Sequence, residues 1–157
     1  MLARLTAQSN GPNPKEPGGG LPTFTAADIS LIASVAPHMS WHALMAKYCD
    51  DLHSRMEIRE FAHTISRMEW FSNPAYETIR IEARQLNKLA DLAVMGWVSP
   101  KAPATATLET RAAYIGAGYE TYRRVFQGHY AFIVGELAFL QTVGETAVKR
   151  FLRRTDD

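Results

Sequence analysis

The sequence predicts an all-α protein: a helical bundle of four to five helices with a long C-terminal helix, preceded by an extended N-terminal arm. Three observations carry this prediction. Apolar residues recur every three to four positions from Thr23 onward, the period of helices that bury one face. No stretch alternates apolar and polar residues for long enough to build a sheet. Four of the eight prolines and four of the ten glycines lie in the first 22 residues, so the rest of the chain is little interrupted.

Residues 1–22 hold Pro12, Pro14, Pro17 and Pro22 together with Gly11 and the run Gly18-Gly19-Gly20. Such a segment buries too little apolar surface to offset its ordering entropy. It reads as a flexible arm that a partner could order through Leu2, Leu5 and Leu21, with residues 23–157 forming a single helical domain. Thr25 is placed to cap a short helix that runs to about Ala36, with Asp28 in its first turn, and Pro37 ends it.

Ser40 then opens a segment with Trp41, Leu44, Tyr48, Leu52, Ile58, Phe61, Ile65 and Met68 on one face. Ser54-Arg55-Met56-Glu57 has the spacing of a capping box and would split it in two. No glycine or proline stands there, so one kinked helix fits equally. Asn73-Pro74 predicts a restart, asparagine as cap and proline in the first turn. The helix it opens carries Tyr76, Ile79, Ala83, Leu86, Ala90, Ala93 and Trp97, and closes at Gly96 and Ser99-Pro100.

After a proline- and threonine-containing loop, residues 108–151 form the longest helical stretch, and it has two faces. Ile115, Tyr119, Tyr122, Phe126, Ile133, Leu137 and Leu140 recur at heptad-like spacing. Ala117, Thr121, Gly128, Ala131, Gly135, Ala138 and Thr142 recur opposite them. Bulk on one side and small residues on the other predict contact on both. Each glycine inside a helix costs roughly 1 kcal/mol relative to alanine, so Gly116, Gly118, Gly128, Gly135 and Gly144 together would cost about 5 kcal/mol. Either close packing offsets that, within the chain or at a subunit seam, or the helix breaks, with Gly116-x-Gly118 and Gly144 the expected breaks. The interface candidates are Tyr119, Tyr122, Phe126, Gly128, Ala131, Gly135 and Ala138.

Composition narrows the function classes only a little. A formal net charge of +1 neither requires nor excludes a polyanion. The single cysteine, Cys49, excludes an internal disulfide and any multi-cysteine metal site, and Asp50 and Asp51 beside it disfavour the thiolate. The most apolar stretch, 130–143, is short for a bilayer and contains Glu136, so no membrane span is expected. Residence in the cytoplasm, or in a particle assembled there, is the corresponding expectation.

Candidate chemistry is sparse. Glu60-x-x-His63 has the spacing found in di-iron bundles, but no second Glu-x-x-His accompanies it, and a surface pair is expected instead. His38 and His42 are four apart, a spacing that suits metal ligation on a helix, yet a cap at Ser40 would leave His38 outside the helix. His129 and Glu136 stand two turns apart in an uncharged stretch. They suggest either acid–base work or a carboxylate paired with Arg123 or Arg84. Neither a P-loop nor Gly-x-Ser-x-Gly is present, and Gly116-x-Gly118 lacks the strand a dinucleotide fingerprint requires.

The reading is therefore a non-enzymatic adaptor or structural subunit of a larger assembly. It needs no cofactor or metal, and acts by helix packing with protein partners or copies of itself. The alternative is a helix-turn-helix-like nucleic-acid-binding regulator or packaging factor. It would read bases with Arg55, Arg59, His63, Ser66 and Arg67, and hold phosphates with Lys149, Arg150, Arg153 and Arg154. Against it stand Glu57, Glu60 and Glu69 on the same helix, and the absence of a turn glycine. A metal-dependent helical-bundle enzyme ranks third.

Overall fold

The structure, a computed structural model, describes residues 37–155. The expected arm over 1–22 and the helix expected from Thr25 to Ala36 lie outside the described residues. Within them the fold is all-α. Five helices follow in order: α1 (His38–Tyr48), α2 (Leu52–Ser72), α3 (Ala83–Val98), α4 (Leu108–Ile115) and the composite α5. The last runs as Tyr119–Thr121, a π-helical Tyr122–Phe126 and Gln127–Thr155 without interruption. The described chain falls into two compact units, one of residues 37–55 with 140–155, the other Met56–Phe139.

In the first unit, α1 begins two residues before the expected start at Ser40. Pro37 stands at the N-cap without a side-chain cap, and its carbonyl accepts from Trp41 N–H at 3.0 Å. Ser40 is buried instead, because its turn packs on the C-terminal part of α5. A Cβ at Gly144 would lie 2.9 Å from the Ser40 carbonyl oxygen and 2.9 Å from Leu44 Cγ. Gly144 is thus no break; its missing side chain admits α1. Leu44 and Val148 form the buried centre of this unit, with Trp41, Tyr48, Phe151 and Leu152 against them. Tyr48 Oη donates to Glu145 Oε1 at 2.8 Å and accepts from Gln141 Nε2 at 2.8 Å.

The split expected at Ser54 comes earlier, in the turn 49–51. Asp50 adopts φ +54, a left-handed conformation that aspartate tolerates better than most residues. Asp51 then caps α2, its carboxylate accepting from Ser54 N–H at 2.8 Å. The capping pair is Asp51 with Ser54, not Ser54 with Glu57.

In the second unit, Asn73 caps as expected, accepting from Ala75 N–H at 3.0 Å. It opens only a 3-10 turn, Pro74–Tyr76, and α3 starts at Ala83. Tyr76 is stacked on Trp70, with centroids 4.1 Å apart and planes within 2°. β-Branched Thr78, Ile79 and Ile81 follow in non-helical backbone, which their stiff side chains favour. Tyr76 and Ile79 therefore leave the predicted helix face. α3 buries Leu86, Leu89, Ala90, Leu92, Ala93 and Trp97, the i, i+3, i+4, i+7 stripe of a one-sided helix. Gly96 lies inside α3 rather than closing it, since any Cβ there would collide with the Tyr130 hydroxyl.

Thr107 and Thr110 form the capping box of α4. Gly116, at φ +73, ends it as the sequence predicts. The π-helical turn in α5 shifts the register of its buried face. Tyr122, Phe126, His129, Tyr130, Ile133 and Leu137 face inward, while Tyr119, expected in the same row, stays outside.

Candidate functional site

The outer face of α5 stands exposed among the described residues. Every strongly exposed position from Gln127 to Thr146 is uncharged: Gln127, Gly128, Ala131, Gly135, Ala138, Phe139, Thr142 and Thr146. The part of this stripe in the second unit, Gln127 to Phe139, is about 18 Å long at about 1.5 Å per residue, and Thr142 and Thr146 belong to the first unit. Arg123 and Arg124 stand exposed at one end, and Lys149, Arg150, Arg153 and Arg154 at the other. A Cβ built on Gly128 or Gly135 would meet nothing within 4 Å. Among the described residues those two glycines serve no close packing, unlike Gly144.

The sequence-predicted interface set divides accordingly. Gly128, Ala131, Gly135 and Ala138 are exposed, as is Tyr119. Tyr122 and Phe126 lie in the core of the protein itself, 0% and 4% exposed. Burial pushes the Tyr122 hydroxyl up to about 12. Phe139, 63% exposed in the middle of the stripe, is a large apolar residue outside the expected set. The available signal was the missing charge among the exposed positions of the helix, which becomes visible only once the buried face is known.

The Glu60–His63 surface pair is replaced by a different arrangement. His63 is buried and its Nε2 lies 2.7 Å from Asp91 Oδ1, while Arg59 grips the same carboxylate with Nε at 2.6 Å and Nη2 at 3.0 Å. Burial pushes the Asp91 carboxyl up, but the hydrogen bonds from Arg59 and His63 outweigh it and hold it below the usual carboxylate range. Helix α2 presents His63 to α3 one turn away from where Glu60 points to water.

His129 is fully buried, with Nε2 2.9 Å from Ser66 Oγ. Trp70 and Tyr76 meet its ring edge-on at 5.2 and 5.5 Å. Burial, opposed by the Glu69 charge, holds its pKa below the ordinary 6.5. Enclosed in this way, the ring ties α2 to α5 through Ser66. Arg123 pairs with Glu120 at 3.0 Å rather than with Glu136. Burial, with Asp51 adding to it, raises the Cys49 thiol, as expected of an unactivated cysteine. Beside Trp70 and Tyr76 lies an open hollow of about 720 Å³, rimmed by Phe71, Asn73 and Arg80. Its two largest rings already stack on one another.

The expected nucleic-acid residues are largely engaged. Arg55 pairs with Asp50, Arg59 with Asp91, and Arg67 Nε donates to the His63 carbonyl at 3.2 Å. Arg150, Arg153 and Arg154 remain on the exposed end of α5. The expectation for His38 is corrected as well. It lies inside α1, on the same face as His42.

By length and composition α5 is long and apolar enough to cross a membrane, over Tyr119–Arg154, a measure that core helices of soluble proteins also meet. Only 22% of its most apolar 18 residues are buried within the protein. Comparison with known proteins found no match: no family model, no curated protein and no solved structure aligns with the chain.

Proposed function

We propose that the protein is a non-enzymatic adaptor or structural subunit that packs the outer face of α5 against a helix of another protein, in the first instance a second copy of itself. The observation that carries this reading is the uncharged exposed stripe from Gln127 to Thr146. A helix face that stays in water ordinarily carries charge. Gly128 and Gly135 add a second argument. Each weakens the helix by about 1 kcal/mol relative to alanine, yet no neighbour among the described residues uses the space they leave. A partner backbone approaching closely would use it. Residues 1–22, with Leu2, Leu5 and Leu21, are proposed as a second point of attachment.

Light scattering on the full chain, with Gly135→Leu and Phe139→Glu for comparison, tests this. The expected result is a concentration-dependent oligomer that both substitutions dissociate, with helical content unchanged. A monomer at every concentration would remove self-association. Lipid is the competing occupant, favoured by the length of α5 and the cations at its two ends. Flotation with anionic vesicles separates the two, because the adaptor reading expects the protein to stay unbound.

The nucleic-acid reading would rest on the cations at the end of α5. A steep fall of affinity with salt in a DNA titration would support it.

A further inference from the structure

Helix α1 starts at His38, so His38 and His42 share one helical face a turn apart. Their Nε2 atoms lie 3.3 Å apart, and the rings meet edge to face with centroids 4.5 Å apart. His42 is buried, and its other nitrogen, Nδ1, lies 2.8 Å from Ser54 Oγ. That contact anchors the ring and aims Nε2 at His38, the device by which ligand histidines are ordinarily oriented. Ser54 is held in turn by its N–H bond to the Asp51 carboxylate at 2.8 Å. His38 is exposed, so the pair opens to solvent on that side.

Two imidazole nitrogens bound to one tetrahedral ion at about 2.0–2.1 Å stand about 3.3–3.4 Å apart. The pair already has that separation. We propose that His38 and His42 form a two-histidine site for a divalent late transition-metal ion of the zinc and copper class, with water in the remaining positions. Imidazole suits these ions, whereas magnesium and calcium require oxygen ligands. Among the described residues no group of three or more His, Cys, Asp or Glu could hold a metal. The described residues therefore supply two ligands, His38 and His42. In the free protein one N–H bridges the two Nε2 atoms. Binding moves that proton to Nδ1 of His38, a tautomer change at an exposed ring. This site is independent of the reading of α5.

The test uses untagged full-length protein, stripped with chelator and titrated calorimetrically with Zn²⁺ and then Cu²⁺, with the histidine rings followed by NMR. The expected result is one ion per chain, Cu²⁺ bound more tightly than Zn²⁺, shifts centred on His38 and His42, and no response to Mg²⁺. His38→Gln, at an exposed position, should weaken Zn²⁺ binding by about tenfold or more, and Ser54→Ala, which removes no ligand, by about tenfold. His53→Gln and His63→Gln should leave it unchanged. Absence of saturable Zn²⁺ uptake overturns the proposal. So does full affinity in His38→Gln, or a loss in His53→Gln as large as in His38→Gln.

Discussion

Replacing both Gly128 and Gly135 with alanine should stabilise the isolated chain while weakening its assembly. Both glycines lie in the continuous helix of α5, and neither has a neighbour within 4 Å of an added Cβ. Each substitution therefore gains the helix-propensity difference, about 1 kcal/mol, without a steric cost. The sites are two turns apart and share no partner, so the gains add to about 2 kcal/mol. For a chain of this size that is a rise in melting temperature of about 4–8 °C. At a closely packed seam the same methyl groups would force backbones apart at about 1–3 kcal/mol per site, which weakens association by about tenfold or more. Gly144→Ala is the internal control. Its Cβ would stand 2.9 Å from the Ser40 carbonyl oxygen, and that backbone atom cannot move aside as a side chain can. It should lower stability, by up to about 2 kcal/mol after the propensity gain. Thermal melts of dilute protein and sedimentation at high concentration measure the two quantities. A double alanine variant that melts lower than wild type, or one that associates as tightly, would refute the reasoning about this face.

Other consequences concern the folded chain alone. Asp91→Asn should lower stability by about 1–2 kcal/mol at neutral pH, since it discharges the partner of Arg59 and His63 at a half-buried site. Because the Asp91 carboxyl titrates below the usual 3.8, its contribution is present above that value and lost as pH falls through its folded pKa, so urea melts of the variant should show a shallower acid limb. His129 works with the opposite charge. Its pKa is depressed by burial, so the unfolded chain takes up a proton first, and stability should fall as pH drops through 6.5. In His129→Phe combined with Ser66→Ala, the melting temperature should depend less on pH between 7 and 5, and an unchanged slope would assign that dependence to other groups. Asp51→Ala removes the cap of α2 and should lower stability by about 1 kcal/mol in the same melts.

Helical period, turn residues and the absence of alternating stretches were enough to establish the fold class. They placed the stop at Gly116, the cap at Asn73 and Leu86, Ala90, Ala93 and Trp97 of the α3 core face, because those features are local. Boundaries shifted wherever a long-range contact outweighed local preference. Ser40 gave up its capping role to the packing of α1 on Gly144. Asn73 opened a single turn because Tyr76 stacks on Trp70. The π-helical turn at Tyr122–Phe126 left no mark in the sequence, and it moved Tyr119 out of the buried row. Glu60 and His63, neighbours by spacing, were separated because Asp91 of another helix takes the histidine.

The sequence by itself determined that α5 has a bulky side and a bare side, since a period of 3.6 residues sorts side chains by position alone. Which glycines are filled from within the molecule was a tertiary decision. Gly144 meets α1, whereas Gly128 and Gly135 meet nothing among the described residues, and no local pattern distinguishes them. The placing of His38 beside His42 was decided in the same way, by where α1 begins. A residue's spacing sets the face it shares, but the atoms opposite that face come from distant parts of the chain.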